Sequence, residues 1–246
     1  FSEVSPLPPA RSLHTMLLFQ QNELSPGGGG GCRGVGGGMV AAPAAEPPPW
    51  QGPVEVAPLE GRGRGLIATR TISAGETLLV SHAFATGDLK TLVRSVAKRM
   101  ESPESDGGAS PIEREQFLHL FDGANDGVLP PDGLFAPEGT PSVLSTEQTA
   151  RAQAQPLAER WQRFKRIVEL NSHDLSDINA QCGGQGDFVG IWLLPALMNH
   201  SCKPSAFTLH VGTKVMVFKA ARDLQKGEEI TDSYTNLLCP RRERQG

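Results

Sequence analysis

Met198-Asn199-His200-Ser201-Cys202-Lys203-Pro204 and Gly227-Glu228-Glu229-Ile230-Thr231-Asp232-Ser233-Tyr234 are the two stretches from which the fold of this chain is read. The first follows an apolar run, Ile191 to Leu197, and Val189–Met198 therefore predicts a buried strand leading into a short helical turn at Pro195. Between the two stretches lie two β-rich runs, Ala206–Val211 and Val215–Lys219, joined by Gly212-Thr213. Tyr234 is the single tyrosine among 246 residues, so the chain does not use tyrosine as routine packing material.

Working outward, the composition is uneven. Half of the 20 prolines fall in residues 1–58, and nine of the twelve residues from Gly27 to Gly38 are glycine. Such a segment buries too little apolar surface to offset its ordering entropy, so residues 1–48 are expected to be a disordered low-complexity arm. Residues 49–246 suffice for one core. A net charge of −4 shows none of the basic surplus of a nucleic-acid binder. The four cysteines, Cys32, Cys182, Cys202 and Cys239, lack the spacing of a disulfide framework, which suggests a reducing, intracellular setting, nuclear or cytoplasmic. No apolar run approaches the ~20 residues of a membrane-spanning helix. The chain starts at Phe1 rather than Met, without a signal peptide pattern, and is expected to be a fragment.

Beyond Trp50, Gly52–Val56 reads as a short strand and Gly61-Arg62-Gly63-Arg64-Gly65 as a glycine-rich turn. Leu66–Ile72 and Thr77–His82 are strand candidates flanking a turn at Ser73-Ala74-Gly75-Glu76. The glycine cluster opens a strand rather than a helix, which argues against a dinucleotide-binding fingerprint. It reads as a plain turn, a ligand-facing turn or a short Arg-Gly tract. Residues 86–178 are expected to form a helical and loop insertion. Asp88–Met100 predicts a helix with Leu89, Leu92, Val93 and Val96 on one face, and Pro111–Phe121 another, with Phe117, Leu118 and Phe121 apolar. Asp122–Pro141 reads as an irregular loop. Gln155–Leu170 predicts a helix with Leu157, Trp161, Phe164, Ile167 and Val168 as its apolar stripe and Arg160, Arg163 and Arg166 on a solvated face.

Taken in order, Gly63-Arg64-Gly65-Leu66-Ile67-Ala68-Thr69-Arg70 with Ala74-Gly75-Glu76, then Met198–Cys202, then Gly227–Tyr234, resemble a SET domain, the fold of many protein-lysine methyltransferases. The order of the pieces makes the match specific, and it covers roughly residues 50–246. The resemblance implies a mainly β fold with a helical insertion, an α+β arrangement in which one segment passes under a loop in a pseudoknot. With no Cys/His cluster between Phe84 and Asn179, the chain resembles the finger-less relatives of the SET and MYND type. It also implies the cofactor S-adenosylmethionine (SAM) and a protein substrate presenting a lysine; from charge and hydropathy, neither nucleic acid nor membrane is expected as a partner.

In the family the glycine-rich turn passes its backbone against SAM, which assigns Arg62, Gly63 and Arg64 to the cofactor. Glycine suits such a turn because no Cβ keeps the ligand away. Asn199 and His200 match the pair that holds the amino-acid end and adenine of SAM. Asn179 reads either as a cofactor-facing asparagine or as a polar loop residue. Tyr234 stands where the family keeps the catalytic tyrosine beside the lysine channel, and it is also assigned to the cofactor site; the alternative is a packed aromatic. His200 and Cys202 could form a nucleophile–base pair, but at i, i+2 on an extended chain they are expected to point to opposite faces. A metal is not expected: Cys202 would ligate zinc only with a downstream post-SET segment, and Cys202 with Cys239 does not close a tetrahedral site. Where the family commonly has Asp-Pro-Asn after that cysteine, this chain has Lys203-Pro204-Ser205, expected to weaken the crossing. The rival function is a catalytically inactive SET-like interaction module.

Overall fold

The computed structural model describes residues 46–88, 90–124, 128–137 and 156–234. Residues 1–45 of the expected disordered arm, 125–127 and 138–141 of the expected loop, and Leu89, Gln155 and Cys239 lie outside those residues. Strands dominate the rest. β1 (Trp50–Gln51), β4 (Thr77–His82), β10 (Val215–Ala220) and β9 (Ala206–Val211) form one sheet in the order β1-β4-β10-β9. A second sheet runs β2 (Val54–Leu59), β3 (Gly63–Ala68), β11 (Glu229–Asp232) and β8 (Asn199–His200). A third joins β5 (Ala85–Asp88), β7 (Phe188–Ile191) and β6 (His173–Asp174).

The hairpin of β9 and β10 pairs Val215 with Val211 and Ala220 with Ala206, so Gly212 lies in its turn. Along β9 burial alternates, with Phe207, Leu209 and Val211 facing out, as a strand at the border of a sheet requires. The glycine cluster differs from its reading as a turn. The turn is at Gly61-Arg62, whereas Gly63 (φ 71°) and Gly65 belong to β3, antiparallel to β2. Ile72 stands apart from β3 and makes an isolated bridge to Leu224.

The helices among the described residues are α1 (Leu92–Glu101), α2 (Pro111–Leu118), α3 (Leu157–Asn171) and α4 (Ser176–Gln181). α1 starts four residues later than expected because Asp88 ends β5. The Asp88 carboxylate accepts the backbone N–H groups of Lys90 (2.8 Å) and Thr91 (3.0 Å), a local turn that competes with helix. α2 begins with a capping box, Ser110 Oγ accepting from Glu113 N while Glu113 Oε2 accepts from Ser110 N, with Pro111 at the first turn. In α3 the apolar stripe is shorter than the pattern implies. Phe164, Ile167 and Val168 are buried against the core, but Leu157 (62%) and Trp161 (37%) remain exposed at the helix start. Arg163 is not on a solvated face either. Its Nε donates to Asp122 Oδ2 (3.1 Å) and its Nη2 to the Leu118 carbonyl (2.8 Å), because a long stem lets it fold back over the 118–122 segment.

Helices and sheets share one core. Phe84, between β4 and β5, stacks on Phe117 of α2 (5.2 Å), and Phe117 meets Phe164 of α3 edge-on (5.6 Å). Trp192, fully buried, donates Nε1–H to the Lys214 carbonyl (3.2 Å) and holds the apolar run after β7 against the β9–β10 turn. That run then closes in a single 3-10 turn, Pro195–Leu197, which delivers Met198 and Asn199 to the second sheet. Among the described residues no helix is long and apolar enough to cross a membrane.

Candidate functional site

Two distant segments meet through an uncommon pairing. β8 lies parallel to β11, with Thr231 opposite Asn199 and Asp232 opposite His200, and Ser201 N donates to the Asp232 carbonyl (2.9 Å). On its other side β11 is antiparallel to β3, with Glu229 opposite Ile67 and Ile230 opposite Leu66. The parallel contact between short strands lacks a crossover helix of its own, so side chains carry much of the join. Ser205, with no exposed surface, fastens the chain that follows β8 to β11. Its hydroxyl donates to the Glu229 carbonyl (3.2 Å) and accepts the Thr231 N–H (2.8 Å), while the Ser205 N–H donates to Thr231 Oγ1 (3.0 Å). At the departure Lys203-Pro204-Ser205, the serine thus supplies a polar link to β11.

Asn199 reaches from β8 across to β3. Both hydrogens of its Nδ2 are used, one by the Arg64 carbonyl and one by Glu229 Oε1, each at 2.9 Å. Gly65 makes room for this: a Cβ there would lie 2.8 Å from Asn199 Nδ2 and 2.6 Å from Leu59 Cδ1. With Nδ2 committed inward, the carboxamide presents its oxygen, an acceptor, to anything bound beside it. Glu229 is completed by Arg62, whose Nη1 donates to Glu229 Oε2 (2.7 Å) and whose Nη2 donates to the His200 carbonyl (2.7 Å). Arg62 is largely exposed, so this pair is worth geometry more than energy.

Arg64 points the other way. Its guanidinium is buried and donates to the carbonyls of His119 and Val128. Its side chain thus ties β3 to the segment after α2, and only its backbone faces Asn199. Arg62, Arg64, Asn199 and His200 are brought together in this way, with Gly63 adjoining on β3.

Tyr234 joins the same cluster. Its N–H donates to His200 Nδ1 (3.0 Å), its ring lies 5.2 Å from the imidazole at 47°, and its hydroxyl donates to the Met198 carbonyl. Because a backbone N–H can only donate, His200 Nδ1 is the bare nitrogen, which places the proton of the neutral ring on Nε2. That Nε2 lies 3.3 Å from Cys202 Sγ. The expectation that His200 and Cys202 face apart is overturned. The chain bends at Ser201-Cys202, with Lys203 N bonded to Ser201 Oγ (3.1 Å), so the alternation of an extended strand does not apply. A nucleophile–base pair is still disfavoured. His200 Nδ1 accepts a backbone hydrogen, the opposite polarity to the donor that an orienting carboxylate requires.

Asn179, on α4, is separate from this cluster in its described contacts. Its carbonyl accepts from Cys182 (3.1 Å) and Gly184 (2.8 Å), and its side chain folds over Gly184, where a Cβ would lie 2.1 Å from Oδ1. Among the described residues no group of three or more His, Cys, Asp or Glu side chains is arranged to hold a metal. Sequence reasoning missed Glu229 and Ser205. The signal for Glu229 was a carboxylate two residues before Thr231 on a strand that has to face an arginine-bearing hairpin; Ser205 offered none.

Comparison with known proteins is consistent with this geometry. The family described as SET domain matches residues 63–235. The SET domain-containing protein SmydA-8, isoform A, of Drosophila melanogaster is 36% identical over 74 residues, 30% of this chain and 16% of that protein. The histone-lysine N-methyltransferase SMYD3 of Homo sapiens is 30% identical over 95 residues, 38% of this chain and 20% of that enzyme. A methyltransferase of Gibberella zeae is 28% identical over 204 residues, 74% of this chain and 27% of its own length. The chain therefore spans well under a third of each of these relatives.

Proposed function

The chain belongs to the SET-domain family, and from that membership we propose that it is a SAM-dependent protein-lysine N-methyltransferase. The observation that carries the proposal is the convergence of Asn199, His200 and Tyr234 where β8 pairs with β11. The residues present fit the cofactor. Asn199 offers an acceptor oxygen suited to an ammonium group, and the absent Cβ of Gly65 lets Asn199 pack against β3 in that orientation. Asn199 and His200 would hold the nucleoside and its amino-acid end together with the backbone of Arg62, Gly63 and Arg64. Asn179 would join only if α4 presents it there. When bound, SAM supplies an electrophilic methyl group on sulfur.

What the chain must supply is a neutral, aligned amine in a dry place. A lysine of pKa ~10.4 is neutral in roughly one molecule in a thousand at pH 7, a cost of about 4–5 kcal/mol. An apolar surround favours the neutral form and lowers that cost. Tyr234 is anchored from behind by the His200 bond and its hydroxyl already donates to the Met198 carbonyl. A phenolic oxygen accepts as well as donates, so that oxygen would accept an amine N–H and turn the nitrogen lone pair toward the methyl group.

Calorimetric titration of the full chain with SAM, beside Asn199→Ala, tests the reading. Micromolar binding that is lost in the variant supports the cofactor site. Tyr234→Phe should then bind SAM as the parent does yet transfer methyl groups about a hundredfold more slowly. A folded chain that binds no SAM would refute the assignment and favour an interaction module.

A further inference from the structure

The Glu229 carboxylate is the junction of the cluster, accepting from Asn199 Nδ2 on one oxygen and from Arg62 on the other. We infer that Glu229 is a positioning residue, which fixes the end of the Asn199 carboxamide that faces the cofactor. The inference rests on the proposed SAM site and concerns how that site is oriented.

A primary amide can turn through 180° with almost no change of shape, exchanging an acceptor for donors. Asn199 is held against that turn by two acceptors on one side, the Arg64 carbonyl and Glu229 Oε1, both at 2.9 Å. The turned amide would set its oxygen against both. Of the two, the carboxylate is charged and makes the stronger bond. The Arg64 carbonyl belongs to β3 and stays with the sheet, so the variable member is Glu229.

Replacing Glu229 by Gln is informative because Arg62 decides which way the new amide points. A guanidinium has only donors, so the glutamine oxygen is drawn to Arg62 and its NH2 group is turned toward Asn199. Donor then meets donor. Asn199 either turns over, presenting NH2 to the ligand, or loses the bond and its fixed orientation. Both outcomes remove the acceptor from an ammonium group while leaving the adenosine portion unaffected. Removing Arg62 as well frees the glutamine to turn its oxygen back to Asn199.

The test uses two ligands, S-adenosylhomocysteine, which carries the amino-acid end, and methylthioadenosine, which lacks it. Glu229→Gln should weaken S-adenosylhomocysteine about tenfold or more and leave methylthioadenosine within about twofold. Arg62→Ala/Glu229→Gln should restore the ratio of the two affinities to that of Arg62→Ala alone. In the unliganded protein, solvent exchange of the Asn199 side-chain amide, followed by NMR, should accelerate in Glu229→Gln. Equal weakening of both ligands, no change in either, or an unrestored ratio would overturn the inference, since a purely structural glutamate predicts those results. If the wild-type chain binds neither ligand, the cofactor reading falls by itself. Amide exchange then judges the tether: acceleration in Glu229→Gln upholds it, and an unchanged rate overturns it.

Discussion

Replacing Ser205 by Ala should destabilise the protein by about 2–3 kcal/mol although only one oxygen is removed. Ser205 is fully buried, and its hydroxyl serves two backbone groups of β11, accepting from Thr231 N at 2.8 Å and donating to the Glu229 carbonyl at 3.2 Å. The shorter bond matters more. Its loss leaves a buried N–H without that acceptor, at about 1–3 kcal/mol, and the longer bond adds about 0.5–1 kcal/mol. The void left by one oxygen is too small to admit a compensating water. In a folded unit of this size 1 kcal/mol moves the melting temperature by about 2–4 °C, so a fall of about 5–10 °C is expected. Urea unfolding is the stricter assay, because an unchanged slope with a lower midpoint isolates stability from changes in compactness. Thr231 pairs with Asn199, so the same variant should also bind S-adenosylhomocysteine more weakly. A loss below about 0.5 kcal/mol, the range of ordinary surface substitutions, would refute the view that Ser205 fastens the segment between β8 and β9 to β11.

Arg64→Met keeps the apolar stem but strips two donors from the carbonyls of His119 and Val128. It should cost about 2–4 kcal/mol in urea unfolding, with hydrogen exchange rising first in residues 119–124. Gly65→Ala brings a Cβ within 2.8 Å of Asn199 Nδ2; calorimetry should show SAM affinity reduced about tenfold, and unchanged affinity would show that Asn199 moves freely. His210 on β9 is held below the ordinary histidine range by burial, and its Nδ1 is buried without a partner among the described residues. The folded state therefore binds fewer protons than the unfolded state there. Stability should be complete above about pH 6.5 and should fall as the pH drops through the lowered folded value. His210→Gln should flatten the loss in urea titrations between pH 7 and 5, and a parallel pH profile in both proteins would reject the assignment.

The β-rich hairpin, the strand at Thr77–His82 and the helix start at Pro111 were legible because each is set by neighbours in sequence. Local rules failed where a side chain's role depends on a distant partner. Arg163 reads as solvated until Asp122 is folded beneath it, and Arg64 reads as ligand-facing until the carbonyls of His119 and Val128 arrive. Leu157 and Trp161 have helical spacing with Phe164, yet spacing carries no information about where the core ends. The His200–Cys202 contact was missed for a related reason. Alternation is a property of extended chain, and the bend at Ser201-Cys202 depends on side-chain bonds that periodicity does not encode.

The candidate site separates the same way. Motif order placed Asn199, His200 and Tyr234 in one reading, but the motif does not contain the reason that they work together. That reason is a set of bonds between chain segments more than 100 residues apart, from Arg62 to His200 and from Asn199 to Arg64. Glu229 closes the set at a position where sequence shows only the second of two acidic residues after a glycine. Glu228 beside it is turned outward to Arg222, at 2.5 Å, and to the backbone of Gln225. Glu228 lies just before β11 and Glu229 is its first residue. Which glutamate reaches Asn199 thus follows from where β11 begins, and that is fixed by the pairing of Glu229 with Ile67 in β3 rather than by the motif itself.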